Sequence, residues 1–194
     1  RGLLSRPTVA EIVRYRAAVD ETMIELISNA PDQQWHELEP LIMLGLNHEQ
    51  QHQELMLADL KHVFAQNPLR PRYRDLPPPP ACQSTDLAWF TVDEGIHETG
   101  VRNEEFAYDT EYPRHKVLLQ AFALASRPVT NAEYLDFIDD GGYSNPALWL
   151  SDGWAALKAN AWSAPLYWEQ RDDEWWHMTL GGMRPVDLNA PVCH

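Results

Sequence analysis

Two histidines four residues apart, His48 and His52, lie in the run His48-Glu49-Gln50-Gln51-His52-Gln53-Glu54. On a helix they sit about 40° apart around the axis and roughly 6 Å along it, so their imidazoles project side by side. Two ring nitrogens so placed can share one metal ion. Glu54, six residues after His48, falls roughly 120° away around the same helix. Neither it nor Glu49 easily completes a site with both histidines. Glu54 reads better as an outer partner that orients a ligand or meets a neighbouring helix. A third ligand then has to come from another element. Spacing alone leaves a plainer reading open, in which both are hydrogen-bonded core histidines. His62 lies too far along to join the pair. His36, His97, His115 and His177 have no partner at ligand spacing, which favours structural roles for each.

The elements that must position the pair are legible from periodicity. Thr8-Val9-Ala10-Glu11 has the form of a capping box. Apolar residues then recur at Val9, Ile12, Val13, Val19, Met23, Leu26 and Ile27, which predicts a helix from about Val9 to Asn29. Asn29-Ala30-Pro31-Asp32 breaks it. A second helix is predicted from near Pro40 to Gln66, with Pro40 close to its first turn or marking a kink, and Asn67-Pro68 stops it. Its stripe of Leu41, Leu44, Gly45, Leu55, Asp59 and His62 includes both histidines, so both are expected to point inward. Gly45, one turn before His48, leaves room beside them. Two such helices with a short connection suggest part of an antiparallel bundle.

Beyond Gln66 the character changes. The run from Pro68 to Pro80 is proline-rich and predicts an extended, semi-rigid linker. After it, short apolar stretches such as Trp89-Phe90-Thr91-Val92 and Val117-Leu118-Leu119 alternate with turn residues, which predicts short strands. A short helix is predicted from Thr130 or Asn131 through Ile138, stopped by Gly141-Gly142. The fold class is α+β: residues 1–67 helical, 68–81 linker, and 82–194 an irregular mixed domain whose core includes Trp149 and Trp154.

Composition narrows the partners. The 194 residues carry 29 acidic against 15 basic side chains, a net charge of −14, which repels phosphate backbones and anionic membranes. No apolar run approaches the roughly 20 residues that span a bilayer. Residues 1–6 lack the apolar stretch of a signal peptide. Only two cysteines are present, Cys82 and Cys193, far apart in sequence; a reducing cytoplasm is the expected setting, and Cys193 has no basic cluster in sequence that would make it a nucleophile. Composition does not address the oligomeric state.

The run Leu44-Gly45-Leu46-Asn47-His48-Glu49-Gln50-Gln51-His52-Gln53-Glu54-Leu55, continuing to Asp59-Leu60-Lys61-His62, closely resembles the ergothioneine-biosynthesis sulfoxide synthases. The second half is similar to their catalytic domain. It matches at Phe106-Ala107-Tyr108-Asp109, Glu111-Tyr112-Pro113-Arg114-His115, Arg127-Pro128-Val129-Thr130-Asn131-Ala132-Glu133-Tyr134, and Asp140-Gly141-Gly142-Tyr143 through Trp149-Leu150-Ser151-Asp152-Gly153-Trp154. The resemblance implies part of a DinB-like four-helix bundle followed by a domain of the formylglycine-generating-enzyme and C-type-lectin-like type. It implies ferrous iron held by three histidines, two of them His48 and His52, with the third on an earlier bundle helix. Basic residues just ahead of the second bundle helix bind substrate carboxylate in such proteins. Arg1 is the candidate here, and a plain surface arginine is the simpler reading.

The implied reaction joins a thiol, γ-glutamylcysteine or cysteine, to Nα-trimethylhistidine and oxidises the sulfur with O2. Three imidazoles on one side of the ion leave positions open for thiolate and O2, and the second domain is expected to close over them. Alternatives are an ovothiol-type or selenoneine-type synthase, or a zinc-dependent DinB-like thiol transferase. The family's third histidine and its later catalytic residues fall outside these 194 residues. Isolated activity is therefore not expected, and no catalytic residue is assigned.

Overall fold

The computed structural model describes residues 6–83, 85–102 and 106–194. Arg1, the carboxylate-binding candidate, lies outside them. Helix α1 spans Val9–Asn29 and α2 spans Asp32–Gln66. Among the described residues seven short strands follow, β1 Trp89–Val92, β2 Gly95–Thr99, β3 His115–Leu119, β4 Phe122–Ala125, β5 Trp168–Arg171, β6 Glu174–Thr179 and β7 Gly182–Pro185. Two helices, α3 Asn131–Asp139 and α4 Ser151–Asn160, separate β4 from β5. The class is α+β, and every strand pair among the described residues is antiparallel.

The start of α1 is the predicted capping box. Thr8 Oγ1 accepts from the Glu11 N–H at 3.3 Å, and the Glu11 carboxylate accepts from the Thr8 N–H at 2.7 Å. Helix α2 differs from expectation, beginning at Asp32 rather than near Pro40, which lies inside it. The Pro31 carbonyl accepts from the N–H groups of Gln34 and Trp35 at 2.8 and 2.9 Å, which nucleates the helix early. Trp35, Leu38 and Ile42, spaced i, i+3, i+7, are half-buried and hold the added turns in place. Pro40 only forfeits the bond its missing N–H would have made to the preceding turn.

The chain divides into two units. One comprises α1, α2 as far as Gln50, and residues 106–108; the other comprises residues from Gln51 to Arg102 and from Asp109 onward. Within the first unit Phe106 and Tyr108 stack edge to face at 5.0 Å. The charge of Glu49 also reaches Arg16, which is paired with Asp20 at 2.7 Å. Helix α1 has no buried residue.

Three antiparallel sheets carry the second unit, β1–β4, β2–β3 and the meander β5–β6–β7. The β5–β6 turn places Asp172 and Asp173 at φ of 45° and 67°, the pattern of a type I′ hairpin. Helix α3 starts at a second capping box, Thr130 with Glu133, and ends in a Schellman motif. There Gly141, at φ of 79°, donates to the Ile138 carbonyl, and Gly142 donates to that of Phe137. Trp149 closes this corner, its indole donating to the Gly142 carbonyl at 2.8 Å. The apolar core is small: Ala65, Leu157 and Met178 are its buried members among the described residues.

Arg127 grips Glu133 with two bonds of 2.8 Å, and the same carboxylate accepts from the Thr130 N–H. The Arg127 fork first, and the Thr130 backbone second, hold the Glu133 carboxyl down at about 2. A depressed carboxylate stabilises the fold above its ordinary value of 4.5 and loses that contribution as pH falls toward 2. Glu133→Gln is therefore expected to lower the denaturant midpoint at pH 7. Its curve should converge on that of the unsubstituted protein near pH 2. Urea titrations at both pH values check this; a constant offset would contradict it.

Candidate metal site

His48 and His52 both lie on α2, four residues apart on one uninterrupted helix. That secondary structure gives the imidazoles the side-by-side projection that metal sharing needs. Beside them, a Cβ added to Gly45 would meet nothing within 4 Å, so this face has room for a ligand sphere. The expected burial of the stripe is not found. His48 and His52 are exposed, and Leu41, Leu44 and Leu55 are 64%, 44% and 59% exposed. The half-buried side near the start of α2 is instead the one carrying Trp35, Leu38 and Ile42.

Neutral nitrogens are suitable ligands for ferrous iron and its neighbours in the first transition row. The pair fits such an ion as two donors. Among the described residues, no group of three or more His, Cys, Asp or Glu is placed to hold one. Glu54 is exposed and makes no hydrogen bond or ion pair among the described residues. Glu49 lies where its charge acts on Arg16 of α1.

The other histidines have separate occupations. His62 Nδ1 is 3.1 Å from the Tyr167 hydroxyl, His97 Nε2 is 3.4 Å from the Asp93 carbonyl, and His115 Nδ1 is 2.9 Å from the Pro113 carbonyl. His177, read from sequence as structural, lines a cavity of the second unit together with Lys61, Tyr167 and Arg184. Nothing in their spacing signals this. They come from a helix, a loop and two strands, and only the β5–β6–β7 meander brings them together. Cys82 and Cys193 are free thiols on the same cavity.

Comparison with known proteins places the chain in a family. The chain is 30% identical over 188 residues to the hercynine oxygenase of Mycolicibacterium thermoresistibile, a match covering 95% of this chain and 40% of that protein. It is 37% identical over 154 residues to the hercynine oxygenase of Mycolicibacterium smegmatis, covering 78% of this chain and 34% of that protein. It is 30% identical over 112 residues to ergothioneine biosynthesis protein 1 of Schizosaccharomyces pombe, covering 57% of this chain and 12% of that protein. The chain thus spans at most about two fifths of the length of these relatives. Residues 77–194, the part built from the short sheets, α3 and α4, match the sulfatase-modifying factor enzyme 1-like domain, and the chain belongs to that family.

Proposed function

We propose that this chain is part of a cytoplasmic, iron- and O2-dependent sulfoxide synthase of ergothioneine biosynthesis, in which α1 and α2 belong to a DinB-like bundle and His48 and His52 are two of three histidine ligands. The observation that carries the reading is the His48–His52 pair on a single helix of a chain that aligns along 95% of its length with a protein named hercynine oxygenase. The proposed reaction replaces a thiol S–H and an imidazole ring C–H of Nα-trimethylhistidine by a C–S bond. One oxygen atom of O2 goes to sulfur and the other leaves as water. The thiol is γ-glutamylcysteine or cysteine. A zinc-dependent thiol transferase on the bundle alone would have no use for the domain that residues 77–194 form.

When bound, a ferrous ion with neutral nitrogen ligands keeps a net positive charge, which favours thiolate over thiol. The task of His48 and His52 is to stay neutral and correctly turned. Each offers one ring nitrogen and needs the other N–H fixed by a partner, because the tautomer sets which nitrogen faces the ion. Glu54, on another side of the helix, lies away from the ion. Glu54→Gln is accordingly expected to leave most of the metal in place, with a loss below about tenfold in affinity. Loss of binding as large as that of a histidine variant would make Glu54 a ligand and remove the helix-geometry argument. Iron analysis of the purified variants, with product detection by mass spectrometry, tests the reading as a whole.

A further inference from the structure

The second unit contains a cavity of about 720 Å³, built without the histidine pair. Its walls are largely apolar, formed by Tyr167, Trp168, Leu166, Met178 and several prolines. Onto this surface open the basic side chains Lys61, His177, Arg184 and His194. The Lys61 ammonium is 2.8 Å from His194 Nε2 and 4.8 Å from the centre of the Tyr167 ring. It forms no ion pair among the described residues. The Arg184 guanidinium donates to the carbonyls of Leu76 and Pro77, and it too has no carboxylate partner. His177 is half-buried with neither ring nitrogen hydrogen-bonded among the described residues.

The Asp187 side chain on the wall is already engaged. Its oxygens accept from the backbone N–H groups of Cys82 and Asn189 at 3.0 Å each. Asn131, 4% exposed and on the same wall, donates to the Asp187 carbonyl at 2.7 Å and leaves its own Oδ1 without a partner. Among the described residues, no carboxylate pairs with Lys61 or Arg184, in a chain of net charge −14. Burial holds Lys61 below its ordinary pKa, and burial with nearby Lys61 and Arg184 does the same to His177. An anion entering the cavity relieves both.

We propose that this cavity binds a small organic carboxylate, its charge set against Lys61 and its apolar body lying along Tyr167 and Met178. The site is independent of the function proposed above, so either can fail alone. Lysine supplies a compact charge for one end of such a ligand, and the π-face and thioether supply contact for the other.

The test is calorimetric titration of the 194-residue chain with phenylacetate, its neutral counterpart phenylacetamide, and phenyl phosphate. Phenylacetate is expected to bind in the sub-millimolar range and phenylacetamide at least about tenfold more weakly. Lys61→Met should lose about tenfold or more in phenylacetate affinity, Lys61→Arg should retain most of it, and His177→Gln should lose less than Lys61→Met. An unchanged thermal midpoint shows that a variant still folds, and the comparison of charged with neutral probe needs no variant. Equal binding of the amide, undiminished binding by folded Lys61→Met, or no binding up to about 10 mM overturns the proposal. Tighter binding of phenyl phosphate than of phenylacetate overturns the carboxylate assignment in favour of a phosphate.

Discussion

His48→Ala and His52→Ala are each expected to abolish specific metal binding, whereas His36→Ala and His62→Ala leave it unchanged. As two ligands of one ion, the pair would gain its affinity by chelation. A second imidazole on the adjacent turn binds without a further translational cost, so removing either one leaves a single exposed histidine little better than any other. The choice of ion matters for the measurement. Ferrous iron stands low in the intrinsic order for nitrogen sites and nickel stands higher. In the 194-residue chain, two imidazoles are expected to hold nickel measurably and ferrous iron weakly. Calorimetry with nickel should show a loss of at least about tenfold for either substitution. Anaerobic titration with ferrous iron should show weak, sub-stoichiometric binding. Stoichiometric, tight ferrous binding would place a third ligand within these residues. Full nickel affinity in His48→Ala would dismiss the ligand assignment.

Met178→Ala is the substitution expected to cost most in stability. Met178 is 1% exposed and is the largest fully buried side chain among the described residues. It lies near the end of β6, the middle strand of the β5–β6–β7 sheet, opposite Met183 of β7. Truncating a buried side chain of this size costs about 2–5 kcal/mol, the lost transfer energy plus the cavity left behind. With so few other buried apolar residues, the second unit has little else to offset that loss. Leu55→Ala, at a position 59% exposed, should change stability by less than about 0.5 kcal/mol. Urea unfolding followed through Trp168, Trp175 and Trp176, which lie on β5 and β6, reports on the unit directly. Comparable effects of the two substitutions would mean that the described core does not carry the fold.

What could be read from sequence was whatever a local rule controls. Thr8 with Glu11, and Thr130 with Glu133, each declare a helix start because the capping side chain and its target are three residues apart. Gly141-Gly142 declares a stop because one residue must be left-handed there. The His48–His52 spacing was visible for the same reason, since four residues on a helix is a fixed geometry. The early start of α2 was not legible, because a proline suits the first turn of a helix as well as a kink inside one, and the half-burial of Trp35 and Leu38 has no local signature. Nor was the exposure of the histidine stripe, since an apolar pattern states which face prefers cover and not what supplies it. The cavity around Lys61 and His177 was hidden altogether. Lys61 is separated from His177 by the whole linker and most of the second unit, and no periodicity joins positions brought together by a meander.

The central claim is that His48 and His52 hold the metal of an enzyme joining a thiol to Nα-trimethylhistidine. Its most direct test uses protein expressed from the complete reading frame that encodes these residues, supplied with ferrous iron, air, γ-glutamylcysteine and Nα-trimethylhistidine. Mass spectrometry should find a product containing both carbon skeletons and one added oxygen atom, and none from the His48→Ala, His52→Ala double variant. Product formed undiminished by that double variant, or no product from iron-loaded protein with any thiol tried, would contradict the account.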